Sequence, residues 1–386
     1  MQSCSFRSPA TVHFGQGAAA QAGREASRCG GHKALLVTDP QLKQAGVIEP
    51  VVHSLEQEGL APVVFDGVDA EPSLPHVQAG LELLRQEACD VVVACGGGSP
   101  IDTAKAIAIQ AGNTASLAEC MGVDKIPAPG LPVLAVPTTA GTGSEATMVT
   151  IITEPQQQVK MMIMSPYLLP CVAIVDPLLT LDCPRQITAS TGLDALTHAI
   201  EAFVSVKANP MSDVLALSAA GLLNRFLPRA WANPGDLEAR SQTHLGALQA
   251  GMAFTNSSVA LVHGMSRPIG AKFHVAHGVS NAALLGIVTD FSLLGAPHRY
   301  ARLARAMELP GAWGGEAQAG QACADRAKQL IEQLKIPSLA DLGVTREKLQ
   351  THVQSMADEA IASGSPGNNP RKATRDEIVD LYFQAL

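Results

Sequence analysis

A change of pattern near residue 180 constrains the fold more than any other feature of this chain. Before it, short β-branched and apolar runs alternate with helical stretches: KALLVT (33–38), APVVF (61–65), CDVVVACGGGSPIDTAKAIAI (89–109), LPVLAVPTT (131–139) and CVAIVDP (171–177). Strands interleaved with helices in this way build a parallel sheet with both faces covered. Such sheets bind ligands beyond the carboxyl ends of their strands. From Pro184 onward no strand-type run remains. Stretches such as TGLDALTHAIEAFVS (191–205), RSQTHLGALQAGMAF (240–254) and QACADRAKQLIEQLK (321–335) carry helical spacing instead. The expected architecture is an α/β domain with a parallel sheet over residues 1–180 and an all-α domain over 181–386, joined within 178–184.

A chain of 386 residues is long enough for two such cores. With 35 acidic against 27 basic residues, a net charge of −8 and no Lys/Arg-rich run, it is a poor partner for nucleic acid or an anionic membrane. The eight cysteines include no Cys-x-x-Cys pair, which argues against a zinc ribbon or a thioredoxin-type site. The opening MQSCSFRSPATVHFG is polar, unlike a signal peptide. Two uncharged stretches, 126–141 and 241–266, are broken by prolines or by Gln242, His244, Gln249 and Asn256, so neither is expected to span a membrane. A reduced, cytoplasmic setting is the resulting expectation.

Two glycine-rich elements follow strands. In Cys95–Thr103, C-G-G-G-S-P-I-D-T, three glycines let the backbone turn closely. Ser99 is expected to cap a helix whose first residue is Pro100. A helix N-terminus facing such a turn can bind pyrophosphate, although the dinucleotide fingerprint G-x-G-x-x-G is absent and a plain turn is the competing reading. The second element, Pro137–Glu145, offers the hydroxyls of Thr138, Thr139, Thr142 and Ser144 as another wall of the same site. Asp39, closing the first convincing strand, suits ribose hydroxyls and would repel a 2′-phosphate, which points to NAD rather than NADP. Asp39-Pro40 also reads as a simple turn.

Asp194 and His198, four apart in GLDALTHAIEAF, share a helix face. With His263 and His277 they form an acid and three histidines expected in the otherwise uncharged interior of the helical half. One oxygen and three nitrogen donors suit Fe(II), Zn, Mn or Co without choosing among them.

At this point the sequence resembles a known family, the iron-containing (group III) alcohol dehydrogenases. The resemblance rests on VVVACGGGSPIDTAKAIA, VPTTAGTGSEAT, ASTGLDALTHAIEAFVS, MAFTNSSVALVHGMS, FHVAHG and NPRKATRDEI, and it covers essentially the whole chain. It implies a dehydroquinate synthase-like fold, an NAD-binding N-terminal domain and a metal-binding helical domain. It further implies metal ligation by Asp194, His198, His263 and His277, with Fe(II) the first candidate and Zn the second. Cofactor contacts are implied for Asp39, Gly97, Gly98, Ser99, Asp102, Thr138, Thr139, Thr142 and Lys160. The implied reaction is hydride transfer between a small alcohol and NAD in a homodimer or larger homo-oligomer.

The chain departs from the family pattern in three places. Glu71-Pro72-Ser73 stands where many members have Asn-Pro-Thr, Ala276 replaces a common proline, and Arg267 replaces a histidine of the family's proton path. His274 is then a candidate proton carrier. Arg267, four residues after His263, has three readings: a cofactor phosphate, a structural ion pair, or an anionic group on the substrate. The same fold also resembles dehydroquinate synthase, an NAD-using carbon–oxygen lyase, but residues 190–280 hold few of the cations its anionic substrate requires. A catalytically inactive binding protein is the remaining alternative, and the complete ligand set argues against it.

Overall fold

The computed structural model describes residues 3–156 and 159–386. They form two compact units, Arg7–Asp182 and a second made of Cys183–Leu386 with the residues preceding Arg7.

The strands of the first unit are β1 (Thr11–Phe14), β2 (Ala34–Val37), β3 (Val63–Phe65), β4 (Val91–Gly96), β5 (Gly122–Val123), β6 (Val133–Pro137), β7 (Val149–Glu154), β8 (Val159–Met164) and β9 (Val172–Val175). Its helices are α1 (Ala22–Arg28), α2 (Pro40–Gln44), α3 (Glu49–Gln57), α4 (Leu74–Gln86) and α5 (Gly98–Gly112). Six strands form one sheet in the order β1-β9-β6-β4-β2-β3, and every pair in it is parallel. Its inner strands are wholly buried, and alternate residues feed two separate cores. Leu35, Val37, Val92 and Ala94 pack with Ile101 and Ile107 of α5 on one face. Leu36, Val91, Val93 and Cys95 pack with Ala26 of α1 and Leu55 of α3 on the other. A smaller sheet, β5-β8-β7, pairs β7 and β8 antiparallel.

The expected cap of α5 is corrected. The helix begins at Gly98, and Gly97 is its N-cap with no side-chain cap bond. Ser99 and Pro100 lie in the first turn, where Pro100 costs nothing because that N–H lacks an intrahelical acceptor.

The second unit contains α6 (Arg185–Val204), α7 (Pro210–Ala232), α8 (Leu237–Thr255), α9 (Leu261–Phe273), α10 (His277–Ser292), α11 (Pro297–Ala306), α12 (Glu316–Gln333), α13 (Arg346–Ala362) and α14 (Arg375–Gln384). Two glycines let its helices approach α6. A Cβ on Gly192 would lie 2.2 Å from Leu227 of α7, and one on Gly278 would lie 2.4 Å from the Ser190 carbonyl oxygen. The second approach brings the start of α10, and with it His277, against the turn preceding Asp194. One helical segment among the described residues, His277–Gly295, has the length and apolarity to cross a membrane. Half of it is buried, and α10 packs on α6, α9 and α12 as a core helix does.

Candidate active site

Helix α6 is buried along most of its length, and it presents Asp194, His198 and Glu201 at i, i+4 and i+7 on one face. His263 comes from the first turn of α9, and His277 is the first residue of α10. Asp194 Oδ1 lies 3.4 Å from His263 Nε2, 3.7 Å from His277 Nε2 and 3.9 Å from His198 Nε2. The ligand atoms of Asp194, His263 and His277 fall within 4.8 Å of one another. His198 joins from the side, its ring stacked on His263 at 4.5 Å and on Phe254 at 4.2 Å. All four expected ligands therefore share one locality.

The donors fit a single small cation. Bonds of about 2.1 Å in tetrahedral array require donors roughly 3.4 Å apart, close to the spacing around Asp194. Asn281 sharpens the point. Its Nδ2 donates to Asp194 Oδ1 at 2.6 Å and lies 3.1 and 3.2 Å from His263 and His277 Nε2. Its Oδ1 is buried with no hydrogen-bond partner among the described residues. The ligand atoms thus gather in one place, beside an orphaned oxygen. Burial alone would raise the Asp194 pKa, but the three histidines hold its carboxyl far below the usual range. Burial disfavours a charged His263, yet Glu201 and Asp194 outweigh it and pull its pKa up to about 9. His277 is 45% exposed, so the site opens on its side.

Glu201 and Asn281 were not singled out from sequence. The available signals were i+7 from Asp194 for the first and i+4 from His277 for the second. Glu201 Oε2 lies 2.6 Å from His263 Nδ1, and its Oε1 accepts the Val262 N–H at 2.6 Å. Arg267 is half-buried, and its charge is attracted by Glu201. Burial pushes its pKa down. His274 is the exposed, left-handed C-cap of α9 and lines a cavity of about 330 Å³ with Ser190, Phe273, Val279 and Lys335.

In the α/β unit, Asp39 follows β2, Gly97–Ser99 follow β4 and Thr138–Thr142 follow β6, three neighbouring strands with a common direction. The two glycine loops touch: a Cβ on Gly98 would lie 2.9 Å from Thr142, and one on Gly97 would lie 3.5 Å from Thr139. The Thr138 N–H donates to the Gly96 carbonyl at 3.0 Å. Asp39 accepts the Leu42 N–H at 2.8 Å as the cap of α2.

Beneath the loops lies a buried polar cluster. Asp102 accepts from Ser144 Oγ at 2.5 Å and from the Ile151 N–H at 2.9 Å. Lys105 Nζ reaches Ser144 Oγ and the Thr147 and Val149 carbonyl oxygens at 3.0–3.1 Å. Burial pushes Lys105 down to about 8 and Glu145 up to about 7. Lys160, on the smaller sheet, pairs with Glu71 at 2.7 Å, so the departure at residue 71 supplies that lysine's counter-charge.

A helix N-terminus over paired glycine loops and a buried constellation of one carboxylate and three imidazoles define a class: metal-dependent, nucleotide-linked oxidoreductases. Comparison with known proteins agrees. Residues 9–177 match the family model described as iron-containing alcohol dehydrogenase, and residues 188–386 match the C-terminal model of the Fe-containing alcohol dehydrogenase family. The chain is 38% identical over 385 residues to 1,3-propanediol dehydrogenase of Citrobacter freundii, covering 98% of this chain and 97% of that one. A crystal structure of 1,3-propanediol oxidoreductase superposes with a TM-score of 0.96 at 37% identity, covering 100% of both chains. Sulfoacetaldehyde reductase from Bifidobacterium kashiwanohense, solved in complex with NAD+, gives 0.90 at 31% identity, covering 100% of this chain and 99% of that one.

The chain belongs to the iron-containing alcohol dehydrogenase family. It is a metal-dependent alcohol dehydrogenase or aldehyde reductase, and nothing in these likenesses favours the lyase.

Proposed function

We propose that this enzyme interconverts primary or small secondary alcohols and their carbonyl partners with NAD(H), using one divalent metal held by Asp194, His198, His263 and His277. The observation that carries this reading is the convergence of three imidazole nitrogens on one oxygen of Asp194. When bound, the metal supplies Lewis acidity toward the substrate oxygen, and the nicotinamide gives or accepts the hydride.

The chain's own residues do the rest. Asp194, held anionic, offsets part of the cation's charge, and half-exposed His277 leaves a side open to substrate. Gly97 and Gly98 let a pyrophosphate approach the first-turn N–H groups of α5, including that of Ser99, with the hydroxyls of Thr138, Thr139 and Thr142 alongside. Asp102 is assigned to shaping those loops through Ser144 and Ile151. Lys160, steadied by Glu71, is assigned to the cofactor. Asp39 is assigned to the adenosine ribose, selecting NAD over NADP by repelling a 2′-phosphate. Exposed His274 is assigned to passing the proton to solvent.

Fe(II) is the preferred metal and Zn the second, because the donor set admits both. A homodimer or larger assembly is supported by the exposed apolar Val206 in the turn before α7 and Met211 and Val214 at its start, and a cytoplasmic setting is part of the same proposal. The deciding experiment assays a panel of alcohols and aldehydes with NAD(H) after reconstitution with Fe(II) or Zn. Metal-stimulated NADH turnover supports the reading, and no turnover with any member opposes it.

A further inference from the structure

We propose that Glu201 is a positioning residue for the metal centre. Its carboxylate grips His263 so that the site stands ready before a metal arrives. The inference rests on the metal reading given above and adds a residue that touches neither metal nor substrate.

Glu201 is 3% exposed and lies on the same helix face as Asp194 and His198. Its two oxygens hold two consecutive residues of α9, one accepting the Val262 N–H and the other meeting His263 Nδ1, each at 2.6 Å. A buried carboxylate accepts, so Glu201 keeps a proton on Nδ1 and leaves Nε2, which faces Asp194 Oδ1 at 3.4 Å, as the nitrogen that a metal would take in place of a proton. A carboxylate behind a ligating histidine fixes the ring and raises its basicity as a ligand.

The local structure explains why the carboxylate comes from another helix. The N-cap of α9 is Ala260, which makes no side-chain cap bond. The early N–H groups of α9 therefore need an acceptor from elsewhere, and Glu201 supplies one while its negative charge complements the helix dipole. One side chain thus fixes both the start of α9 and the ring that the start of α9 carries.

Arg267, one turn beyond His263, completes the arrangement. Its guanidinium makes no hydrogen bond among the described residues, and the charge that attracts it is Glu201. Glu201 meets His263 on Nδ1, the side away from the converging ligands.

The test uses the full-length protein stripped of metal and titrated with Co(II), read by its ligand-field absorption and by competition with a chelator. The proteins compared are wild type, Glu201→Ala and Glu201→Gln, each checked for native helical circular dichroism. Wild type should bind one Co(II). Glu201→Ala should bind it roughly 10–100-fold more weakly, with an altered ligand-field band because the His263 ring is no longer held. Glu201→Gln keeps an acceptor oxygen and should show a smaller loss. Wild-type affinity and spectrum in both variants would overturn the proposal. So would a Glu201→Ala protein that fails to fold beside a Glu201→Gln protein that binds Co(II) as wild type does. If wild type takes up no Co(II), the metal reading itself fails and this inference falls with it.

Discussion

Glu145 offers a quantitative test of the buried cluster beneath the glycine loops. It is 2% exposed, and burial, opposed by a backbone hydrogen bond and by Lys105, raises its carboxyl from 4.5 to about 7. A shift of that size is worth about 3 kcal/mol at roughly 1.4 kcal/mol per pH unit. Between pH 4.5 and 7 the native chain retains a proton that the unfolded chain releases. Stability therefore falls as pH rises through that window, and the loss is complete above the folded value. Glu145→Gln carries no proton to lose. Groups that do not interact with Glu145 are common to both proteins and cancel in their difference, whereas Lys105, whose pKa the Glu145 charge raises, contributes to it near pH 8. Urea unfolding followed by circular dichroism at pH 4 and pH 8 should show the variant gaining about 3 kcal/mol relative to wild type at the higher pH. A difference that stays within about 0.5 kcal/mol across this range would refute the assignment of Glu145 as a carboxyl buried at an energetic cost.

Two further outcomes concern specificity. Asp39→Gly should relax the preference for NAD over NADP, and wild-type kcat/KM with NADP equal to that with NAD would contradict the role given to Asp39. Arg267→Leu should leave the ratio of kcat/KM for an anionic and a neutral aldehyde of equal length nearly unchanged, because the guanidinium is already attracted by a charge of the protein's own, that of Glu201. Loss of a substrate contact worth roughly 2 kcal/mol or more would instead collapse that ratio about 30-fold and make Arg267 a substrate reader.

Much of this architecture is legible in the sequence because burial on both faces leaves continuous apolar runs. β2, β4, β6 and β9 all fall within such runs. The smaller sheet is not legible in this way: β7 and β8 mix Thr, Glu and Lys with apolar residues, and β5 has two residues. β1, TVHF, is a short edge strand with a histidine inside it. The Asp194 and His198 pair is readable from its i, i+4 spacing, but buried His244 on α8 looks as suitable in sequence as His263, so the complete set follows only from the family resemblance. Glu201 is not readable, since a glutamate in a helix ordinarily faces water, and only the 61-residue reach to Val262 reveals its use. Asp102 reads as part of a helix opening, yet its carboxylate serves Ser144 and Ile151, 42 and 49 residues away. The misplaced α5 cap has a local cause. Ser before Pro is a strong start signal, but extended Gly97 already supplies the turn.

On the proposed reading, Asp194 and its three histidines hold a metal on which alcohol oxidation depends. The most direct measurement compares NADH formation by metal-free, Fe(II)-reconstituted and Zn-reconstituted wild type with that of Asp194→Ala, with NAD binding followed in parallel. Removing the metal or the Asp194 carboxylate should abolish nearly all turnover while NAD binding persists, since the proposed cofactor loops belong to the other unit. Adding metal back should restore turnover in wild type alone. Full activity in metal-free protein, or in Asp194→Ala, would contradict the account.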